Sequence, residues 1–260
     1  MLNYIKSEFY RIFHGKEFYL FTGVLALLTV LMNVILCLLD ATVSHFPYGS
    51  IRYSLNLLSS SMELLFYAGM SLTSFIFSEE YKNGTLKNTI SFGITRRQFF
   101  TGKCVVCSAA SLLSLVIIMP FYYGSAYLLL DGAGEITVAD RLRGVLANLP
   151  MAFASVILTV ALMCIIKKEM TMVMWWLFLM VFLPIITLFL GFQVEWLNRV
   201  AEWMPRNYLN LEVVINMSQM QYKALWDTPE GMAKCLIAGF TGIVVFYLIG
   251  WIGFRKKEIA

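Results

Sequence analysis

Few residues in this sequence could do chemistry, and their spacing does not fit the common catalytic or nucleotide-binding motifs. The pairs Gly15-Lys16 and Gly102-Lys103 lack the upstream glycine and the following Ser or Thr of a P-loop, so the chain has no P-loop for ATP. Two histidines, His14 and His45, leave no H-E-x-x-H and no histidine-rich metal site. We therefore expect no catalytic residue, metal or cofactor in this chain.

The five cysteines all fall within or at the edges of apolar runs, at Cys37, Cys104, Cys107, Cys164 and Cys235. Cys104 and Cys107 form a C-x-x-C, which in another context could be a redox or metal motif. No second pair accompanies it. The pattern is typical of small apolar packing residues rather than of disulfide partners.

Glu63 is the only ionisable residue well inside an apolar run, and such residues are functional candidates by default. Three serines precede it, so this half of the run is polar. One interpretation places Glu63 on a translocation path or at a subunit interface. The other starts the span nearer Met62 and leaves Glu63 at the outer membrane surface. The sequence leaves both interpretations open.

Composition predicts the elements that must position these residues. The chain is 59% hydrophobic and 14% charged, well below the roughly 25% charge of soluble domains. In lipid only helices or closed barrels satisfy the backbone, and long unbroken apolar runs favour helices. We predict one all-α transmembrane domain over residues 1–260. Its six spans lie at about 18–39, 54–78, 104–130, 145–166, 170–194 and 235–254.

Lys and Arg are distributed unequally between the two sets of connecting segments. Thirteen of the 20 lie in residues 1–17, 79–103, 167–169 and 255–260, and seven lie in the longer set 40–53, 131–144 and 195–234. By the positive-inside rule the first set is cytoplasmic. We therefore expect a multi-pass protein of the cytoplasmic membrane with both termini inside.

The residues before the first span have helical apolar spacing. Leu2, Ile5, Phe9, Ile12 and Phe13 recur at intervals of three and four, and the sequence predicts that the charged residues Lys6, Glu8 and Arg11 lie off this face. This pattern predicts an amphipathic helix lying along the inner membrane surface.

The predicted cytoplasmic connection 79–103 contains a short segment between two glycines, Gly84 and Gly93. Leu86 and Ile90 are four residues apart and would form a small apolar knob on one face of a helix of about two turns. Such a helix could dock into a groove on a partner. The alternative is a solvated loop whose basic residues only set the topology.

An acidic residue, a Gly-Thr-Leu triplet, a basic residue and a lysine follow one another here, at Glu80, Gly84-Thr85-Leu86, Arg96 and Lys103. This order resembles ABC type-2 exporter permeases. The layout of a leader helix, six spans and a long segment before the last span is also similar to that family, so the resemblance covers most of the chain. In length the chain is similar to bacterial peptide or lantibiotic exporter and self-immunity permeases.

The resemblance implies a coupling helix at residues 84–92 that docks on a separate ATPase subunit. The docking residues would be Glu80, Gly84, Thr85, Leu86, Ile90 and Arg96. ATP and Mg²⁺ would be bound by that partner. The resemblance also implies a second permease copy or a homologous permease, and external helices within 194–234 that dip back into the membrane.

Trp196 and Trp203 lie in that external segment on a helix with an aromatic apolar face, where tryptophan suits the headgroup level. They predict an interfacial lid or, more specifically, an external gate. The predicted function is export of an amphipathic peptide or lipid-like substrate, with no nucleic-acid partner. The alternatives are a non-transporting sensor or assembly subunit and a secondary transporter, and the latter usually needs more intramembrane charge.

Overall fold

We describe the fold from a computed structural model of the chain that covers residues 1–43, 46–82, 93–132, 138–166, 168–211, 214–216 and 221–257. The helices are α1 (Leu2–His14), α2 (Lys16–Thr42), α3 (Ile51–Ser60), α4 (Glu63–Lys82), α5 (Arg96–Leu129), α6 (Val138–Ile165), α7 (Glu169–Leu177), α8 (Leu183–Gly191), α9 (Glu195–Ala201), α10 (Pro205–Leu211) and α11 (Pro229–Lys256). A π-helical turn, Phe178–Phe182, joins α7 to α8.

The predicted helical membrane architecture is confirmed. In the described part of the chain, five helices or helix pairs are long and apolar enough to cross a membrane: Lys16–Thr42, Arg96–Leu129, Leu142–Ile165, Glu169–Gly191 and Pro229–Lys256. Four of the five have mostly exposed apolar stretches, with only 22% buried in α2, whereas Leu142–Ile165 is 67% buried and forms the central helix. An apolar surface of this extent is what a lipid-facing protein presents.

The second predicted span, residues 54–78, is not one helix. It divides into α3 and α4 at Ser61 and Met62, where the backbone of Ser61 leaves the helical region. The serines at 59–61 account for the break, because their hydroxyls compete for backbone partners: Ser59 and Ser60 both donate to carbonyls of their own helix. The apolar part described in α4 is shorter, Glu63–Phe77.

Two hydrophobic clusters form the interior. The larger one joins α1, α4, α5, α6, α7 and α11 around large side chains that include Phe77, Phe99, Trp176 and Trp226. The smaller one, around Leu55, Tyr122 and Ala126, joins α3 to the second half of α5, with Met32 and Leu36 of α2 packed against it.

Helices α6 and α11 run parallel and pack closely along glycines of α11. A Cβ atom on Gly239 would lie 2.7 Å from the backbone nitrogen of Met151. Only a residue without a side chain allows this approach.

Contacts between distant residues define two ends of the bundle. Glu8, Lys103, Arg96 and Phe254 meet at one end, which we call the termini end. The opposite end, where Gly144 and Met62 lie against Trp226, we call the far end. Helix α4 runs from the far end to the termini end, since Phe77 near its end packs edge-on against Phe99.

Between α8 and α11 the chain makes short elements. Helices α9 and α10 fold back along α8, and a two-stranded antiparallel hairpin follows, β1 (Val214–Asn216) and β2 (Gln221–Lys223), with Ile215 opposite Tyr222. The sequence did not predict this hairpin. A 3₁₀ turn, Leu225–Asp227, then leads into α11, whose N-cap Thr228 accepts a hydrogen bond from the Gly231 amide.

Candidate functional site

The termini end is organised by a buried ion pair between α1 and α5. Lys103 Nζ lies 2.6 Å from Glu8 Oε2, and the Lys103 side chain is only 1% exposed. Its ammonium group also lies over the Phe77 and Phe99 rings, 5.3 and 5.6 Å from their centroids. A lysine so deeply buried is tolerated only with a charged partner and favourable ring faces.

This position differs from the sequence prediction, which put Lys103 in a loop and Glu8 off the packing face of the leader helix. Helix α5 begins at Arg96, so its first two turns extend beyond the predicted span and carry Lys103 into the core. The buried residues of α1 are Tyr4, Glu8 and Ile12. Leu2 of the predicted apolar face is 74% exposed.

Helix α1 can approach α5 because residue 102 is glycine. A Cβ atom on Gly102 would lie 2.7 Å from the Tyr4 ring. Tyr4 also packs at 5.9 Å, centroid to centroid, against Phe99. Glu8 accepts a second charged hydrogen bond of 2.9 Å from Arg11, one turn along α1. The leader helix is therefore fixed to α5 by shape and by charge.

Arg96, a predicted docking residue, contacts the last helix. Its Nη1 donates to the carbonyl oxygens of Arg255 (3.0 Å) and Lys257 (2.6 Å), with a longer contact of 3.4 Å to Phe254. The last carbonyls of a helix lack partners within the helix, and a cation there also compensates the helix dipole. Lys257 in turn donates to the carbonyl of Cys164 near the end of α6, at 3.0 Å.

A capping box orients Arg96. The Thr95 hydroxyl accepts from the Gln98 amide, and the Gln98 side chain accepts from the Thr95 amide, which fixes the first turn of α5. Gly93, just before it, has φ of +88°, a conformation that favours glycine.

The other predicted docking residues lie mostly outside the described part of the chain. Gly84, Thr85, Leu86 and Ile90 fall in residues 83–92, and Glu80 lies on the last turns of α4, where only the backbone is described. The flanking helices are described. Residues 83–95 therefore connect two helices whose nearby residues, Phe77 and Phe99, are in contact at the termini end.

Glu63 is the first residue of α4 at the far end, and it is half-buried. A carboxylate at a helix N-terminus is stabilised by the helix dipole. Its charge and that of Arg206 in α10 both act on Tyr67, one turn along α4, so α10 lies near the start of α4. This position agrees with the interpretation in which the span begins near Met62.

Trp196 and Trp203 lie on and just after α9, and both are exposed, at 67% and 47%. Lys234 of α11 lies 5.9 Å from the Trp203 ring centroid. Helices α9 and α10 are held against α8 by buried contacts. Asn207 Nδ2 donates to the carbonyls of Pro184 and Ala201, at 2.8 and 2.9 Å.

Tyr208 follows Asn207 and is 1% exposed. Burial raises the pKa of its phenol, so this residue stays neutral.

Sequence reasoning missed two buried polar groups besides the Glu8–Lys103 pair. Asn33 in α2 donates to Ser125 Oγ and the Tyr122 carbonyl and accepts from Ser54 Oγ, at 2.7 to 3.1 Å. Trp226 is fully buried and, like Met62, packs directly against Gly144. An asparagine in an otherwise apolar run was the available signal for the first. No signal in the sequence marked the second.

Within the described residues, no group of three His, Cys, Asp or Glu side chains is arranged to hold a metal ion. No protein-family model matches the chain, and no curated protein matches it. The five long apolar helices define a multi-pass helical membrane protein.

Proposed function

We propose that this chain is the permease subunit of an ATP-driven exporter, energised by a separate ATPase. One observation supports this most: α5, the helix that follows residues 83–92, is tied by charge to the first and last helices of the bundle, and Phe77 of the preceding helix α4 packs against its Phe99. Arg96 contacts the end of α11, and Lys103 contacts α1. A movement of that connection by the ATPase would therefore be transmitted to α1, α4, α5 and α11 together. An ATPase that docks at one point of the permease requires such transmission.

The proposal includes six crossings with both termini in the cytoplasm. The apolar part of α4, Glu63–Phe77, covers about 22 Å at 1.5 Å per residue, which is most of a hydrocarbon core of about 30 Å. Its course from the far end to the termini end supplies the sixth crossing. The excess of Lys and Arg in the segments at the termini end supports a cytoplasmic side for that end.

Helices α9 and α10 are proposed to be the re-entrant part. Asn207 of α10 contacts the Pro184 carbonyl, and Pro184 lies seven residues before the end of α8 at Gly191. At 1.5 Å per residue, α10 reaches about 10 Å back along the span. The contact with Pro184 is chemically suited to this depth, because an amide donor there satisfies a carbonyl within the span.

The ATPase would dock at residues 84–92, with Leu86 and Ile90 as the apolar contact. A second permease copy would complete the transporter. The cargo is proposed to be amphipathic, a peptide or a lipid-like molecule, because the described spans offer few charged groups to coordinate ions. Three residues at the far end are proposed to border the path or its external gate: Glu63 at the start of α4, Trp196 and Trp203.

The test is co-purification of the chain with its ATPase, followed by measurement of ATPase activity in nanodiscs. Leu86→Asp and Ile90→Asp should each lower the amount of bound ATPase at least about tenfold, since a buried charge in a small apolar contact costs more than 1.4 kcal/mol. Asn88→Asp is the matched control, because in the proposed coupling helix residue 88 would be on the face opposite Leu86 and Ile90.

Two outcomes would contradict the proposal. One is purification of the native membrane complex without any ATPase, which would favour a sensor or assembly subunit. The other is transport by the chain alone, driven by an ion gradient, which would identify a secondary transporter. An Asn88→Asp variant as defective as Leu86→Asp would remove the docking face from the proposal.

A further inference from the structure

The far end contains a group of helices that has its own core. It consists of α2 from Met32 onward, α3, and α5 after Pro120, and we call it the flap. Ile51, Leu55, Tyr122, Tyr123, Ala126 and Leu130 form its interior. The rest of the bundle, which we call the body, is built around the larger cluster. Met119 is the residue that packs against both clusters.

Polar contacts hold the flap together internally. The Ser54 hydroxyl of α3 donates to Asn33 Oδ1 of α2 at 2.7 Å, and the Tyr122 hydroxyl of α5 donates to the Ser54 carbonyl. Asn33 also binds the Ser125 hydroxyl at 2.8 Å. Asn33 and Ser54 are fully buried. Three helices thus share one network, and such a unit moves as a rigid body more readily than it deforms.

At two of the places where the chain passes between the flap and the body, the helix breaks or contains a proline at the boundary. The backbone leaves the helix at Ser61, so that Leu58 packs in the flap and Met62 in the body. Pro120 lies within α5 beside Met119, and its missing N–H leaves the carbonyl one turn earlier without a helical partner. Breaks and prolines of this kind are where helices bend.

A third connection between flap and body is α2, whose helix is continuous. Its contacts with the body are concentrated in its first turns, where Phe18 and Thr22 are buried. Thr22 donates to Ser114 of α5 at 3.0 Å. Most of α2 faces outward, so it can tilt about this attachment without opening the core.

A cavity of about 50 Å³ lies next to the boundary on the body side. Its lining includes Leu65 and Gly69 just after the helix break, and Leu115 and Ile118 just before Pro120. The Ser111 hydroxyl at its wall is buried without a hydrogen-bond partner among the described residues. Incomplete packing lowers the cost of relative movement, because few dispersion contacts must be given up there.

We propose that the flap is a hinged unit that tilts on the body about Ser61 and Pro120 and widens the cavity beneath it. The internal network of Asn33, Ser54 and Tyr122 keeps the flap intact during this movement. The proposal is independent of the exporter function, since it concerns a motion of the chain itself.

The test uses spin labels on the full-length chain in phospholipid nanodiscs, with distances measured by electron paramagnetic resonance. The labelled positions are Leu38 and Leu128 on the flap, and Leu146 and Phe240 on the body, all more than half exposed. The background carries Cys37→Ser, because the other four cysteines are buried. Exposed positions are chosen so that labelling does not disturb folding.

Distance distributions between flap and body should be at least about twofold wider than those within either unit, as expected for a collective hinge motion. Pro120→Ala should narrow the flap-to-body distribution. Pro150→Ala is the matched control, because Pro150 packs against Gly239 inside the body, and it should leave the width unchanged. Flap-to-body distributions as narrow as those within the body, or unaffected by Pro120→Ala, would overturn the proposal.

Discussion

The two ends of the bundle are held together by different chemistry. At the termini end the ties are charged: Lys103 pairs with Glu8, Arg96 binds the last carbonyls of α11, and Lys257 binds α6. At the far end the described ties are mainly neutral hydrogen bonds: Asn33 joins α2 to α3 and α5, and Asn207 joins α10 to α8. The difference indicates a firm base at one end and a segmented, adjustable structure at the other.

This contrast has a physical reason. A buried charged pair is strongly favoured in one geometry and costly in any other, so it holds helices in a fixed relation. A neutral hydrogen bond between membrane helices contributes less, about 0.6 kcal/mol on average, so elements joined only by such bonds are held less strongly.

The buried lysine should be the most costly residue to change. Lys103→Met leaves Glu8 buried with Arg11 as its remaining charged partner and should lower the free energy of unfolding by about 3 kcal/mol. Thermal unfolding in detergent measures this as a fall in Tm. Lys6→Met, at an exposed position of α1, is the control. Adding Glu8→Gln to Lys103→Met should recover part of the loss, and the absence of recovery would contradict the pairing.

The contact between α6 and α11 should be the next most sensitive feature. Gly239→Leu places a side chain against the Met151 nitrogen and Pro150, and should cost about 2 kcal/mol or more through forced separation of the helices. Gly124→Leu, in α5 with open space around it, is the matched control. Equal folded yields for the two variants, by size-exclusion chromatography, would show that the close approach is unimportant.

The neutral network of the flap should matter less than the charged pair. Asn33→Leu should cost about 1 kcal/mol, the usual scale of hydrogen bonds between membrane helices. A double-mutant cycle with Ser125→Ala should give a coupling energy of about 0.6 kcal/mol. A cost for Asn33→Leu equal to that of Lys103→Met would remove the distinction between the two ends.

The contact of Arg96 with α11 should contribute modestly to stability. Arg96→Gln removes a cation from a helix C-terminus and should cost about 0.5 kcal/mol. Its neighbour Arg97 is exposed, so Arg97→Gln is the matched control and should be neutral. Chemical unfolding of both variants in the same detergent gives the comparison, and identical midpoints would argue against a structural role for Arg96.

The smallest effect is expected at an exposed pair on α9. Arg199 Nη2 lies 2.8 Å from Glu195 Oε1, but both side chains are more than three-quarters exposed. Arg199→Gln should change stability by less than about 0.5 kcal/mol, and less still in high salt. A larger loss in a thermal unfolding experiment would mean that α9 depends on charge as the termini end does.

Part of the site was predictable from the sequence and part was not. Glu63, picked out as a charge in an apolar run, lies at the start of α4 because the serines before it interrupt the helix. The sequence prediction assigned Lys103 to a loop. Hydropathy is summed over neighbouring residues, so a lysine is taken as the end of a buried segment. Its partner Glu8 is 95 residues away, and no local pattern joins them.

A helical membrane protein could be predicted from the sequence alone. The length and apolarity of each run require a lipid environment, and in lipid such a run forms a helix. The sequence did not predict which charges are buried together, that α3 belongs to a second core, or that α10 folds back along α8. These outcomes depend on contacts between distant residues, whose energies appear only when the helices are packed.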